Sequence, residues 1–164
     1  MARYKLQGVS FVSLAPFVAS PPNVVEKMLE LAQIKSGETL YDLGCGDARI
    51  VMMAAQKYGA KAVGIELDDG RFNDCVKRVK EAGLDSRVKI VHANATEVNL
   101  KEADVVTLYL LTSANERLRP NLERDLKPGA RVVSHDFSMP GWKPAQTEEI
   151  RETWGSHTIY VYKR

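Results

Sequence analysis

The chain has 164 residues, of which 45% are hydrophobic and 27% charged, so it can form one packed domain and is too apolar to be disordered. Its 23 basic and 21 acidic side chains leave a net charge of +2, too small for a protein whose main partner is nucleic acid. The two cysteines, Cys45 and Cys75, form neither a disulfide framework nor a CxxC ligand pair. The sequence therefore predicts a reducing, cytoplasmic location and no metal site.

The N-terminal segment superficially imitates a signal peptide, because two basic residues precede the apolar stretch Val9–Ala19. Ser10, Ser13 and Pro16 interrupt that stretch, and no clean cleavage pattern follows it. We therefore reject the signal-peptide interpretation. Because no run of about 18 uninterrupted apolar residues occurs elsewhere, we also expect no membrane span.

Helical and strand patterns alternate after this segment. Ser20 is the predicted cap of a first helix that starts with Pro21 and Pro22. Five strands are predicted at Thr39–Leu43, Lys61–Glu66, Arg87–His92, Asp104–Tyr109 and Arg131–Asp136, with helices at Ala48–Tyr58 and Asp69–Ala82. Such alternation is typical of a parallel sheet covered by helices.

The last third of the chain adds one more helix and then changes rhythm. Ser113 and Glu116 form a capping-box pattern for a helix that Pro120 is expected to kink or restart. Thr147–Trp154 and His157–Tyr162 are predicted as two strands joined by a Gly-Ser turn. The predicted fold is α/β: a doubly wound, mostly parallel seven-stranded sheet with a C-terminal antiparallel hairpin. Ligands bind such sheets at the C-terminal ends of the strands.

The first of these strands runs directly into a glycine-rich turn. Asp42, Gly44, Cys45 and Gly46 lie where the backbone can turn sharply and present N–H groups to a bound anion. The dinucleotide fingerprint needs a third glycine three residues after Gly46, and Arg49 stands there instead. A nicotinamide cofactor is therefore disfavoured.

The turn resembles the glycine-rich motif of class I S-adenosylmethionine-dependent methyltransferases, with Ala48 in place of the family's third glycine. The resemblance implies that Glu66, at the end of the second strand, binds both ribose hydroxyls and that Leu67 packs against the adenine. It also places Asn94 and Ala95 beside the adenine, where the Asn94 amide oxygen would accept from the adenine amino group. A local Asx turn is an equally good interpretation of Asn94.

A wider resemblance covers nearly the whole chain. It rests on the motifs Pro16–Pro21, Tyr41–Asp47, Ala62–Glu66, Leu110–Thr112, Leu126–Gly129, Arg131–His135 and Gly141–Trp142. Together they resemble the small archaeal protein lysine methyltransferases, which are similar to mitochondrial lysine methyltransferases of eukaryotes. The resemblance implies S-adenosyl-L-methionine as cofactor and protein substrates that present surface lysines. Because the single predicted domain leaves the acceptor site open at the surface, we expect a broad range of protein substrates. We also expect a monomer.

Several side chains near the ends of the fourth and fifth strands suit a lysine acceptor, because a desolvated, aromatic channel lowers the cost of presenting a neutral amine. We predict Tyr109 and Trp142 as walls of that channel, and we interpret Phe137 as core. His135 could accept a proton, although a histidine within a strand is often a satisfied core residue. Asp136 is expected to bind the ammonium rather than act as a base.

The domain organisation follows from the same picture. We expect residues 1–20 to form a lid segment, because apolar residues such as Phe11 and Phe17 need cover from water, and residues 21–164 to form a single methyltransferase domain. Two alternatives stay open: an RNA or small-molecule methyltransferase of the same fold, and a non-catalytic nucleotide-binding module. The most basic neighbourhood is interpreted as a solvated helix face rather than an RNA contact; it comprises Lys77, Arg78, Lys80, Arg87 and Lys89.

Overall fold

The computed structural model describes the backbone of residues 3–6 and 9–12 and the complete residues 17–164. Within these ranges the strands are β1 (Arg3–Leu6), β2 (Val9–Val12), β3 (Thr39–Leu43), β4 (Lys61–Glu66), β5 (Val88–His92), β6 (Val105–Leu108), β7 (Arg131–His135), β8 (Gln146–Glu152) and β9 (Gly155–Lys163). The helices are α1 (Pro22–Leu31), α2 (Arg49–Tyr58), α3 (Asp69–Glu81) and α4 (Thr112–Asp125), with a 3₁₀ turn at Ala95–Glu97.

Seven strands form one mixed sheet in the order β5-β4-β3-β6-β7-β9-β8. The first five of these are parallel to one another, and β9 pairs antiparallel with both β7 and β8. The predicted fold class, including the C-terminal hairpin, is confirmed. The predicted Gly-Ser turn is wrong, because Gly155 and Ser156 begin β9 and the chain turns at Thr153 and Trp154. The chain winds outward from β3 to β5 and then returns to β6 on the other side of β3, so the topological switch point lies between β3 and β6.

Buried side chains cover both faces of the sheet, as a doubly wound fold requires. One cluster joins α1 and α2 to the sheet and includes Val24, Met28, Leu40, Val51, Ala54 and Val133. The other packs α4 on the opposite side and includes Leu43, Leu108, Leu118, Leu122, Val132 and Tyr162. Among the helices that the structure describes, none combines the length and the apolar character that crossing a membrane requires.

Two helix starts differ from the sequence prediction. The first helix is capped at Pro21 without a side-chain hydrogen bond, because the Ser20 hydroxyl bonds to His135 Nδ1 at 2.8 Å instead. The fourth helix starts after Leu111, which places Ser113 inside the first turn, and no side chain caps it. Both predicted caps were therefore wrong: the Ser20 hydroxyl bonds to a distant strand, and Ser113 lies two residues after the cap position, Leu111.

The expected break at Pro120 is also absent from α4, which continues to Asp125. Leu118 and Leu122 flank the proline and are both fully buried. Burying an aliphatic side chain contributes about 1.5–3 kcal/mol, so these two contacts offset the hydrogen bond that a proline removes from a helix.

The N-terminal segment contains two strands, although the sequence analysis assigned it no regular structure. β1 and β2 pair antiparallel in a separate two-stranded sheet, with Arg3 opposite Val12. Most of the predicted lid, including the side chain of Phe11, lies outside the residues described in full. The part described from residue 17 onward contributes to the site below.

Candidate cofactor and acceptor site

The turn after β3 has the backbone conformation that glycine favours. Gly44 and Gly46 have φ values of 81° and 62°. The N–H groups of Gly44 and Cys45 both donate to the Ile65 carbonyl at 2.9 Å, which ties the turn to the end of β4. A Cβ atom on Gly46 would collide with the Phe17 ring. Both this clash and the positive φ therefore disfavour any side chain at position 46.

Ala48 occupies the position of the family's third glycine and keeps the left-handed conformation, with φ of 68°. It is fully buried and precedes α2 directly. The substitution therefore preserves the backbone path of the turn at the cost of strain that glycine avoids.

Glu66 joins the turn to the next loop. Its side chain is only 5% exposed, and its Oε2 accepts a hydrogen bond from the Gly46 N–H at 3.1 Å. Oε1 accepts from Arg71 Nε at 2.9 Å and from the Asp68 N–H at 3.2 Å. A buried carboxylate with these partners is held in one orientation at the edge of the cavity.

A cavity of about 580 Å³ that is open to solvent lies above these groups. Its lining includes Gly44, Gly46, Glu66, Leu67, Asn94, Ala95 and Tyr109, together with Phe17 and Val18 from the N-terminal segment. A smaller adjoining cavity is lined by Asp42, Cys45, Tyr109 and Ser20, among others. The structure thus brings together all eight residues predicted to bind the cofactor.

Asn94 makes the Asx turn that the sequence left as an alternative. Its Oδ1 accepts from the Thr96 N–H at 3.0 Å and from the Thr96 hydroxyl at 2.8 Å. The amide oxygen thus already has two donors, which leaves the amide nitrogen as the group that can contact a ligand.

Asp42 is buried below the turn and is 3% exposed. Burial, partly opposed by a 2.9 Å hydrogen bond from the Thr107 hydroxyl, raises its pKa from 3.8 to about 7. The neighbouring Cys45 thiol lies 4.0 Å from Cys75 Sγ, and this contact together with burial raises the pKa of Cys45. Cys45 is therefore a protonated packing residue and not a nucleophile.

A compact polar cluster lies at the ends of β6 and β7 and at the start of β9. We call this cluster the acceptor end of the site, because the predicted acceptor residues Tyr109, His135 and Asp136 belong to it. Tyr109 stacks on His135 with ring centroids 3.8 Å apart. His135 Nε2 lies 2.8 Å from His157 Nδ1 and 3.3 Å from Asp136 Oδ2. Burial lowers the pKa of His135 to about 4, so its ring is neutral at pH 7.

Asp136 is held by β9 through its backbone and one carboxylate oxygen. Its N–H donates to the Thr158 carbonyl at 2.7 Å, and its Oδ1 accepts from the Thr158 N–H at 2.9 Å. This arrangement fixes Asp136 at a φ of 62°, which an aspartate tolerates better than most residues. Burial, and then the charge of Asp136, raise the pKa of Tyr109.

Trp142 does not join this cluster, in contrast to the prediction. Its ring meets Tyr162 edge-on at 5.7 Å, its Nε1 donates to Glu123 at 2.9 Å, and Arg164 lies over its face at 4.6 Å. The turn at Gly141, with φ of 78°, directs the tryptophan toward this outer surface. Phe137, interpreted as core, instead stacks at 6.3 Å from Tyr109.

Sequence reasoning missed four residues of the site. They are Ser20, Arg71, Thr107 and His157. The position of Thr107 could have been found, because strand alternation directs it to the same face of β6 as Tyr109. The position of His157 depends on the pairing of Ile159 with His135, a register that the sequence does not encode locally.

The fold and the glycine turn define a class I S-adenosylmethionine-dependent methyltransferase. An RNA methyltransferase of Salinibacter ruber, solved with S-adenosyl-L-homocysteine, superposes with a TM-score of 0.83 at 45% identity, covering 89% of this chain and 93% of that one. The local observations agree with this cofactor: left-handed glycines line an open cavity, and a buried carboxylate lies at its edge.

A model of the ANTKMT methyltransferase domain matches residues 42–146, and the chain belongs to this family. A protein-lysine N-methyltransferase of Saccharolobus islandicus is 43% identical over 94% of this chain and 96% of its own length. The mouse adenine nucleotide translocase lysine N-methyltransferase is 33% identical over 79% of this chain, which spans 56% of that protein. The predicted family, enzyme class and cofactor are confirmed.

Proposed function

We propose that this enzyme transfers a methyl group to the side-chain amine of lysine in proteins, over a broad range of protein substrates. The observation that carries the proposal is the 43% identity to the archaeal protein-lysine N-methyltransferase, which extends over 94% of the chain. The anionic, aromatic acceptor end supports the same substrate class, because an alkyl ammonium is attracted to a carboxylate and packs on aromatic rings.

S-adenosylmethionine, when bound, supplies an electrophilic methyl group on a sulfonium. The protein must then present an unprotonated amine, which at pH 7 costs a free lysine, of pKa about 10.4, about 4–5 kcal/mol. Asp136 attracts the ammonium but stabilises its charged form, so it acts as a binding group and not as the base. Tyr109 orients the alkyl chain, and alignment of donor and acceptor provides most of the acceleration.

The roles of the cofactor-binding residues form part of the proposal. Glu66 accepts hydrogen bonds from the ribose, Leu67 and Ala95 pack against the adenine, and Asn94 contacts its edge through the amide nitrogen. Gly44 and Gly46 allow the methionine moiety to approach the backbone. All of these residues line the larger cavity.

We also propose the N-terminal lid. Phe17 lies against Gly46, and the Arg71 guanidinium lies 5.4 Å from the centre of its ring. Phe17 and Val18 line the cavity although they are 46% and 59% exposed. A hydrophobic cover with this exposure can open for the cofactor. We further propose a monomeric enzyme of the reducing cytoplasm, in agreement with the free thiols of Cys45 and Cys75.

RNA methylation is the second candidate, because the Salinibacter ruber relative is described as an RNA methyltransferase at 45% identity. The charge at the acceptor end argues against it. The Asp136 carboxylate lies in this region, whereas the charges of Asp47 and Arg49, which line the adjoining cavity, cancel in an ion pair of 2.6 Å. A phosphate backbone would be repelled there, whereas a lysine ammonium is attracted.

The test offers both acceptors to the purified enzyme. Folded proteins, denatured proteins and total RNA are incubated with deuterium-labelled S-adenosylmethionine, and the products are identified by mass spectrometry. We expect label on lysine side chains of many proteins. Label confined to RNA, or to small amines, would overturn the proposal.

A variant pair then tests the acceptor end. In Asp136→Asn we expect the KM for a lysine substrate to rise by about 10- to 100-fold, the equivalent of one charged hydrogen bond, while cofactor affinity is retained. Asp85→Asn, in the exposed turn before β5, is the matched control and leaves KM unchanged. An equal KM in both variants contradicts the assigned role of Asp136.

A further inference from the structure

Two of the three histidines of the chain meet at the acceptor end, beside a carboxylate. His135, Asp136 and His157 place one ligand atom each within 4.8 Å of one another. The sequence motifs predict no metal site, because residues 135 and 157 are brought together by the pairing of β7 with β9. We propose that these three side chains form a binding site for a divalent transition-metal ion, with Zn²⁺ as the preferred ion.

The separations of the ligand atoms suit tetrahedral zinc. Ligands about 2.0–2.1 Å from a tetrahedral ion are about 3.3 Å from one another. Asp136 Oδ2 lies 3.3 Å from His135 Nε2 and 3.5 Å from His157 Nδ1. The two ring nitrogens are 2.8 Å apart and must separate by about 0.5 Å, which the His157 side chain permits because it is 23% exposed.

Neighbouring groups already orient two of the ligands. His135 Nδ1 bonds to the Ser20 hydroxyl at 2.8 Å, and a ligand histidine characteristically donates its second ring nitrogen in this way. The N–H of Thr158 occupies Asp136 Oδ1 and leaves Oδ2 for the ion. His157 can bind the ion through Nδ1 when its ring proton is on Nε2. His135 and His157 lie on two paired strands and Asp136 directly follows the first of them, so the site is largely formed before the ion binds.

The donor set also selects the ion. Two imidazole nitrogens and one carboxylate oxygen suit Zn²⁺ and similar transition metals, whereas Ca²⁺ and Mg²⁺ prefer oxygen ligands alone. Three protein ligands leave a fourth position for water or an inhibitor. The ion would bind the Asp136 carboxylate, the same group to which the proposed function assigns the lysine ammonium. Zn²⁺ should therefore compete with lysine substrates, an expectation that rests on the proposed function.

The binding test is independent of activity. Untagged, chelator-treated protein is titrated with Zn²⁺ in competition with a chromophoric chelator, and Co²⁺ is added separately to record its visible absorption. We expect one ion per chain and the intense absorption of tetrahedral Co²⁺. His157→Ala and Asp136→Asn should each weaken Zn²⁺ binding at least 10-fold, and Ser20→Ala by about 10-fold or more.

His92→Ala is the matched control, because His92 is the third histidine and its Nε2 bonds to the Leu67 carbonyl outside the cluster. It should leave Zn²⁺ affinity unchanged, and circular dichroism confirms that each variant is folded. Absence of binding by the wild type, or equal weakening by His92→Ala, would overturn the site. If Zn²⁺ binds but does not change the KM for a lysine substrate, the competition with substrate is refuted. If the metal-free enzyme does not methylate lysine, the proposed function itself is refuted.

Discussion

Asp42 offers the sharpest prediction about stability, because its carboxyl group is buried and its pKa in the folded protein is about 7. The unfolded value is 3.8. The folded state thus binds the proton more tightly, and the free energy of unfolding must fall as the pH rises from about 4 to about 7. A difference of about 3 pKa units corresponds to about 4 kcal/mol.

The substitution Asp42→Asn removes the titration and keeps the shape. The amide oxygen can still accept from the Thr107 hydroxyl, which is 2.9 Å from the carboxylate oxygen. We expect the variant to match the wild type near pH 4. It should become the more stable protein by on the order of 4 kcal/mol near pH 8, because only the wild type must then hold a buried charge.

The assay is urea unfolding of the cofactor-free protein at unit steps between pH 4 and pH 8. Asp47→Asn is the control of opposite sign: although burial of Asp47 opposes ionisation, hydrogen bonds and charge from Arg49 hold its pKa below 3.8 in the folded state. The ionised Asp47 carboxylate therefore stabilises the folded wild type above pH 3.8, and this stabilisation is lost as the pH falls through the folded pKa. Asp47→Asn should accordingly have a smaller free energy of unfolding than the wild type at pH 7. A pH-independent difference between wild type and Asp42→Asn would refute the reasoning.

Three further predictions concern other parts of the structure. Glu66→Gln should weaken binding of S-adenosylmethionine and S-adenosylhomocysteine alike by about 10-fold or more in isothermal titration calorimetry, and an unchanged Kd would contradict a ribose contact. Ala48→Gly and Ala60→Gly both remove a buried methyl group outside the helix interior, but only Ala48 has a positive φ, so Ala48→Gly should be less destabilising by about 1–2 kcal/mol in urea unfolding; equal losses would refute the strain. Tyr162→Phe leaves the buried N–H of Met139, now 2.8 Å from the hydroxyl, without this acceptor and should cost about 1–3 kcal/mol, whereas a neutral effect would show another acceptor.

The succession of parallel strands along the chain was predictable from sequence because each strand and its following helix form a local unit. The turn after Leu43 was predictable for the same reason, since Asp42 and its glycines lie within the five residues 42–46. The caps at Ser20 and Ser113 were predicted from local patterns too, yet they failed. At Ser20 a tertiary hydrogen bond to His135 replaces the local one, and no window of sequence contains that information.

The polar cluster at the acceptor end illustrates the same limit. Tyr109, His135 and Asp136 were identified because each follows or ends a predicted strand. His157 joins them only because β9 inserts between β7 and β8, a pairing between residues 22 positions apart. Trp142 has a similar position in sequence, but a single left-handed turn at Gly141 sends it to the other side.

The sheet divides the proposed chemistry between its two halves. The cofactor cavity is built by β3, β4 and β5 with the loops that follow them, whereas the acceptor groups come from the ends of β6 and β7 and the start of β9. Two residues are common to both: Tyr109 lines the cofactor cavity and stacks on His135, and Ser20 lines the smaller adjoining cavity and bonds to His135. Other changes on the β7–β9 side should therefore alter acceptor binding with little effect on cofactor affinity, whereas changes at Tyr109 or Ser20 should alter both.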